Sequence, residues 1–138
     1  MMYKVTKEFR FEMAHVLSNY NGPCGNLHGH SYRLLVTLED TKLKDGMVLD
    51  LTEIKKIVND KIVSKMDHAL AINANTNDEF EQFLMMLCIN HKKKVVLFPF
   101  RTTAENMSKW IYDELSEILN ISKITLYETT TGCAEYSE

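Results

Sequence analysis

Residues 28–38, His28-Gly29-His30-Ser31-Tyr32-Arg33-Leu34-Leu35-Val36-Thr37-Leu38, decide how this chain folds. His28, His30, Tyr32, Leu34, Val36 and Leu38 occupy alternate positions, the period of a β-strand with one buried face. Both imidazoles therefore leave the strand on the side of the apolar residues. Upstream, Phe9, Phe11, Met13 and His15 alternate in the same way. Between the two runs, residues 16–27 hold Ser18, Asn19, Asn21, Gly22, Pro23, Gly25 and Asn26, the composition of a loop. Two strands joined by such a loop pair most simply as antiparallel neighbours. The end of the first then lies beside the start of the second, so His15, His28 and His30 converge at one end of the sheet.

Further along, Asp50 with Glu53 three residues on reads as a helix start. Leu51, Ile54, Ile57, Val58, Ile62 and Met66 then recur at helical spacing. Residues 79–89 read as a second, short helix, and Val95-Val96-Leu97-Phe98 as a short strand. Thr102 and Glu105 have the spacing of a capping box ahead of an amphipathic stripe, Ala104, Met107, Ile111, Leu115 and Ile118. Residues 124–129 and 133–136 read as two closing strands around Gly132. Strands, then helices, then strands make an α+β fold with an antiparallel sheet.

The length of 138 residues predicts a single domain, 1–138, with no repeat or Pro/Ser-rich linker to divide it. Sixteen Lys and Arg against nineteen Asp and Glu give a net charge of −3, the wrong sign for binding a nucleic-acid backbone. No stretch approaches the roughly 18 consecutive apolar residues of a membrane span, and the opening Met1 to Val5 lacks a signal peptide's apolar segment. Cys24, Cys88 and Cys133 are an odd set with no CxxC pair, which argues against a disulfide framework. A cytoplasmic protein is expected, with Cys88 and Cys133 structural.

Three neutral imidazoles with a fourth position open are the donor set of a catalytic Zn²⁺ site. Against this stands a chance His-x-His pair with His15 as an edge residue. Cys24, in Cys24-x3-His28-x-His30, has three possible roles: a fourth ligand closing a structural site, a reactive thiol stabilised by a nearby histidine, or a small buried hydrophobe. Its Gly-Pro-Cys-Gly surroundings disfavour the last, and the sequence does not choose between the others. Asp67-His68 is either a proton-transfer unit or a common surface pair, and His91 beside three lysines reads as solvated. Glu105 is explained by the capping box. Glu128 lies beside Thr129, Thr130 and Thr131; it either anchors a ring bearing adjacent N–H donors or decorates an edge strand.

Taken together, His15, Cys24-Gly25-Asn26-Leu27-His28-Gly29-His30, Met66-Asp67-His68 and Tyr127-Glu128-Thr129 resemble the 6-pyruvoyltetrahydropterin synthase family. The spacing Cys-x3-His-Gly-His is most similar to its bacterial 6-carboxytetrahydropterin synthase branch, of the queuosine pathway. The resemblance runs nearly the whole chain, including Val48-Leu49-Asp50 and Thr103-Ala104-Glu105-Asn106. It implies a T-fold (tunnelling fold), a four-stranded antiparallel sheet with helices on one face. Such sheets join into trimeric barrels, often stacked as hexamers, with active sites between subunits. By the same resemblance His15, His28 and His30 would hold Zn²⁺. Cys24 would accept a proton, with Asp67 and His68 as relay partners lent by a neighbouring subunit. Glu128 would grip a pterin ring, with Glu105 and Thr103 near the pocket.

The implied reaction converts 7,8-dihydroneopterin triphosphate to 6-carboxy-5,6,7,8-tetrahydropterin, releasing acetaldehyde and triphosphate. The sister reaction of 6-pyruvoyltetrahydropterin synthase is the alternative within the enzymes. A non-catalytic zinc protein with a structural His3Cys site is the alternative outside them. Two features depart from the family pattern. Asn73 stands five residues after His68 where the family often has Asn at four, and the stretch from Asn73 to Phe100, with Lys92-Lys93-Lys94, is longer than usual. That stretch reads as a surface elaboration, the other possibility being a basic contact for the triphosphate.

Overall fold

In the computed structural model, which describes all 138 residues, the two histidine-bearing strands are β1 (Tyr3–His15) and β2 (His28–Asp40). They pair antiparallel, with Phe11 opposite Tyr32, Met13 opposite His30 and His15 opposite His28, so the three histidines meet at the end nearest the loop. There follow α1 (Leu51–Val58), a π-type segment (Asn59–Val63), α2 (Ser64–Met66), β3 (Ala69–Asn73), α3 (Glu79–Asn90), β4 (Val95–Phe98), α4 (Ala104–Ser116), β5 (Ile121–Tyr127) and β6 (Cys133–Tyr136). The sheet order is β4-β3-β1-β2-β5-β6.

The α+β class stands, but the sheet has six strands and is mixed, not four and antiparallel. β3 runs parallel to β1, with His15 opposite Ala71, and β4 runs parallel to β3. Ala69-Leu70-Ala71-Ile72-Asn73 is short, with Ala69, Ala71 and Ile72 all buried. A strand covered on both faces has no polar alternation to announce it. Within the long 73–100 stretch, β4 extends the sheet and is more than a surface elaboration.

One face of the sheet carries the core. Phe9, Phe11 and Met13 of β1, Leu34 and Val36 of β2, and Ile124 and Leu126 of β5 meet Ile54, Val58, Ile62, Met66, Met107, Ile111 and Leu115 from the helices. Each of the fully buried aliphatic side chains contributes roughly 1.5–3 kcal/mol by leaving water. The other face is polar and satisfies itself. Arg33 Nη1 and Arg10 Nε donate to the two Glu8 oxygens at 3.2 Å each, Ser31 Oγ donates to Glu12 at 2.6 Å, and Arg33 lies over the Tyr127 ring at 3.9 Å.

The helix starts follow the local chemistry. The Asp50 carboxylate accepts from Thr52 N at 2.8 Å, satisfying an N-terminal amide that has no partner inside the helix. α4 is capped by Thr103, whose hydroxyl accepts from Asn106 N at 3.2 Å, one residue later than the Thr102–Glu105 spacing predicts. Thr102 instead turns inward, 1% exposed, because it serves His15. α3 buries only Glu81, whose Oε2 accepts from Asn73 N at 2.8 Å, and leaves Phe80, Phe83 and Met86 more than half exposed. It ends in a 6→1 bond from Lys93 N to Cys88 O (2.8 Å) around Lys92 at φ 55°, a closure that usually employs glycine.

Candidate active site

β1 and β2 bring the ring nitrogens of His15, His28 and His30 within 4.8 Å of one another. His15 Nδ1 lies 2.8 Å from the Thr102 carbonyl oxygen, and His28 Nδ1 lies 2.6 Å from the Asn26 carbonyl oxygen. A carbonyl only accepts, so each Nδ1 carries the proton and each Nε2 presents a lone pair. These two Nε2 atoms face each other at 3.1 Å. Two lone pairs held so close repel unless a cation lies between them, and tetrahedral ligation at 2.0–2.1 Å sets such a pair about 3.3 Å apart. The donor set therefore fits a metal ion, with the second ring nitrogens held by carbonyls as ligating histidines require.

The electrostatics agree. His15 is fully buried; burial, reinforced by His28 and His30 and opposed by the Thr102 carbonyl, pushes its pKa down to about 4. His30 is also held below the ordinary histidine value, chiefly by burial, with Glu128 pulling the other way and His28 adding to the fall. Neutral imidazole is the form that ligates. His30 Nε2 is buried without a hydrogen bond, and Glu128 Oε1 approaches it at 3.5 Å. The next residue on that face, Tyr32, has a buried hydroxyl with no partner, and burial together with Glu128 raises its pKa.

Glu128 does not sit within a strand. It follows β5 and opens the turn to β6, its amide donating to the Gly132 carbonyl at 3.1 Å. A hollow of about 400 Å³ beside it gathers Glu128, Glu105, Thr103, Leu17 and Thr129. Glu105, freed from the expected capping box, is exposed there. The Thr103 hydroxyl lines the same hollow while occupied as the α4 cap. Cys24 lies in a 3-10 turn, Pro23–Gly25, and its carbonyl accepts from Leu17 N at 3.0 Å, which ties it to the wall of this hollow. A Cβ at Gly25 would overlap the Tyr20 carbonyl, so glycine there permits the tight turn. The Cys24 thiol is not in the histidine group.

Neither Asp67 nor His68 belongs to the three-histidine group. His68 is 77% exposed in its side chain and lines a hollow with His30 and Met13 as well as with Glu12 and Ser31 of the polar face. The pair itself does form: His68 Nδ1 stands 3.0 Å from Asp67 Oδ1, which also accepts from Glu12 N at 2.9 Å. Adjacent side chains meet here because His68 takes φ 62°, a costly conformation for a residue other than glycine. The Glu12 amide, before His68 itself, holds the Asp67 carboxyl below its ordinary pKa. Lys94 is turned to the Ser64 and Asp67 carbonyls at 2.7 and 2.6 Å, so it secures this corner and is not a free basic contact.

Three participants escape the sequence reading. Asn26 acts through its backbone carbonyl, which leaves no trace in residue type, and Thr102 through its carbonyl and, at 3.2 Å, its hydroxyl. Tyr32 reads as ordinary core on its alternating face. The one available signal was its place next in the His28-x-His30 series.

Residues 4–138 match the family described as 6-pyruvoyl tetrahydropterin synthase. The chain is 41% identical to 6-carboxy-5,6,7,8-tetrahydropterin synthase of Haemophilus influenzae, over 99% of this chain and 100% of that one. It is 30% identical to the protein of the same name in Aquifex aeolicus, over 100% and 99%. Its fold is similar to the solved structure of Plasmodium falciparum 6-pyruvoyl tetrahydropterin synthase, with a TM-score of 0.76 at 20% identity, over 99% of this chain and 98% of that one.

Proposed function

The chain belongs to the 6-pyruvoyl tetrahydropterin synthase family, and on that premise we propose that it is a carbon–carbon lyase acting on 7,8-dihydroneopterin triphosphate. With one water consumed, the products are 6-carboxy-5,6,7,8-tetrahydropterin, acetaldehyde and triphosphate, and the place of the reaction is queuosine biosynthesis in the cytoplasm. The observation that carries this reading is the pair of Nε2 lone pairs facing each other at 3.1 Å, beside a hollow that holds Glu105 and Glu128. His15, His28 and His30 would hold Zn²⁺. A bound zinc ion would acidify the side-chain hydroxyls of the substrate and the C–H bonds next to them.

The protein's own groups do the rest. The Glu128 carboxylate accepts from the adjacent N–H donors of the pterin ring, a charge-assisted pair that fixes the ring's orientation. Glu105 faces the same hollow and supplies a second acceptor, with Thr103 on its wall. Cys24 removes a proton as thiolate, and His68, oriented by Asp67 through Nδ1, carries protons to and from the opposite side of the substrate side chain. Because Asp67 and His68 stand outside the histidine group, this scheme has a second copy deliver them. That supports a homo-oligomeric barrel, a hexamer built from two trimers, with each active site between subunits. The placement of the thiol outside the histidine group supports a proton-transfer role for Cys24 over that of a fourth ligand.

The deciding experiment is mass spectrometry of the products after incubating zinc-loaded protein with 7,8-dihydroneopterin triphosphate. The expected result is the 6-carboxytetrahydropterin mass with released acetaldehyde. A pyruvoyl product would move the protein to the sister reaction with the same residues in the same roles. Intact substrate, from folded and metal-replete protein, would overturn the reading.

A further inference from the structure

Beyond His15 the sheet end holds a second hollow, of about 400 Å³, that the scheme above does not use. Its seven lining residues include no apolar one; Arg101 and four asparagines (Asn19, Asn73, Asn75, Asn77) are among them. Arg101 is unusual in this chain. Its Nε is buried without a hydrogen bond, and no carboxylate lies within ion-pair distance of its guanidinium. The guanidinium carbon lies 5.8 Å from the centroid of the Tyr20 ring, a weak partner at the edge of cation–π range, and an anion would pair the charge where that ring does not. The backbone on either side is pinned: the Arg101 carbonyl accepts from Thr103 N at 2.8 Å and from Asn106 Nδ2 at 3.0 Å. The next residue, Thr102, holds His15. Asp78, whose carboxylate oxygens accept from the Glu81 and Asn19 amides at 3.0 and 3.3 Å, makes no ion pair with Arg101 within 4.0 Å.

Position gives this hollow its meaning. Glu128 follows β5, His28 and His30 open β2, His15 closes β1 and Asn73 closes β3, and these four strands are consecutive neighbours in the sheet. All four features lie at the same end, since β3 and β5 run in the direction of β1. Three strand spacings, about 14–15 Å, therefore separate the ring-anchoring carboxylate from the arginine hollow, with the histidines between them. We propose that the hollow around Arg101 is the subsite for the substrate's triphosphate, so that ring, side chain and polyphosphate lie in that order across the ends of β5, β2, β1 and β3. The guanidinium clamps phosphate oxygens through paired N–H donors, and the asparagine amides supply further donors, Asn19 and Asn75 with the hydrogens left after donating to Asn77 Oδ1 and the Pro99 carbonyl. This inference rests on the pterin reading of the site.

The test compares the zinc-loaded protein with Arg101→Met and Arg101→Lys, using inorganic tripolyphosphate, the triphosphate substrate and the unphosphorylated pterin sepiapterin. Loss of one charge-assisted clamp should raise KM for the triphosphate substrate about 10–100-fold in Arg101→Met, with a smaller change in kcat. Tripolyphosphate should inhibit the parent protein competitively and Arg101→Met hardly at all, with Arg101→Lys intermediate. Sepiapterin affinity should stay within about twofold, which also shows that the variant is folded. Unchanged KM and unchanged tripolyphosphate inhibition in Arg101→Met would overturn the subsite, and so would an equal loss of sepiapterin and tripolyphosphate binding. If the parent protein fails to turn over the substrate yet binds tripolyphosphate through Arg101, the anion subsite stands and the substrate reading falls.

Discussion

At the scale of the residue, His15 couples the centre to pH. Its pKa falls from 6.5 in the unfolded chain to about 4 in the folded one. Between those values the unfolded state binds the proton and the folded state does not, so stability rises with pH across that window. The metal-free protein should thus hold its full stability above pH 6.5 and lose up to about 3 kcal/mol as pH falls towards 4. Thermal melts in the presence of a chelator, at intervals over pH 4–7.5, would read this as a falling Tm. His15→Gln should flatten the slope without abolishing it, because His30 is also held low. An unaltered slope would remove His15 as its source. The three histidines were legible in the sequence because side-chain alternation is a property of the strand alone, and antiparallel pairing needs only adjacency. The contact partners of Glu105 and Asp67-His68 were less so. A capping box shifts by one residue when Thr102 is needed inside, and the meeting of Asp67 with His68 depends on a φ of 62° that residue type does not announce. Arg101 stands alone between Phe100 and Thr102 with no spacing to mark it; its interest comes from desolvation, which only the folded chain reveals.

At the scale of the element, the run Lys92-Lys93-Lys94 divides into unlike parts. Lys94 closes the end of α2 by donating to the Ser64 and Asp67 carbonyls, where a helix terminus carries partial negative charge and unpaired oxygens. Lys93 makes no such side-chain bond. Since Lys94 is itself exposed, Lys94→Ala should cost about 1 kcal/mol, a fall of roughly 3–6 °C in Tm, whereas Lys93→Ala should leave Tm unmoved. Because Asp67 carries His68, Lys94→Ala should also lower kcat several-fold without lowering zinc content, measured by metal analysis beside turnover. Equal effects of the two variants would mean that charge alone matters here, and not the capping of the helix. Helices with an amphipathic stripe and a polar cap, α1 and α4, were readable to within a residue at their starts, because cap chemistry and period 3.6 are both local. β3 was not, because its pairing with β1 and β4 is decided by tertiary contact and its own five residues carry no alternation.

At the scale of the whole molecule, the two faces of the sheet set what the protein can assemble into. The helix-covered face is dry. The other face is laced with its own hydrogen bonds from Thr6 to Thr37, Glu8 to Arg33 and Glu12 to Ser31, which suits water or a polar lumen and not an apolar partner. His68 lines a hollow with Glu12 and Ser31 of that polar side, His15 is fully buried, and neither Asp67 nor His68 belongs to the histidine group. The proposed reaction uses both the histidine group and this pair, with the relay pair supplied by a second copy. Cys24→Ala and His68→Ala should each be inactive when prepared alone. Unfolded together and refolded as a one-to-one mixture, they should regain activity, because some interfaces join an intact Cys24 from one variant to an intact His68 from the other. With random assembly and one relay pair lent per site, about a quarter of the sites are complete, so about a quarter of the parent turnover is expected. If the relay acted within its own chain, every chain in the mixture would lack one member, and mixing would restore nothing. The assay therefore separates a shared site from a self-contained one without requiring the size of the oligomer, and a mixture that stayed inactive while assembling normally by light scattering would refute the shared site.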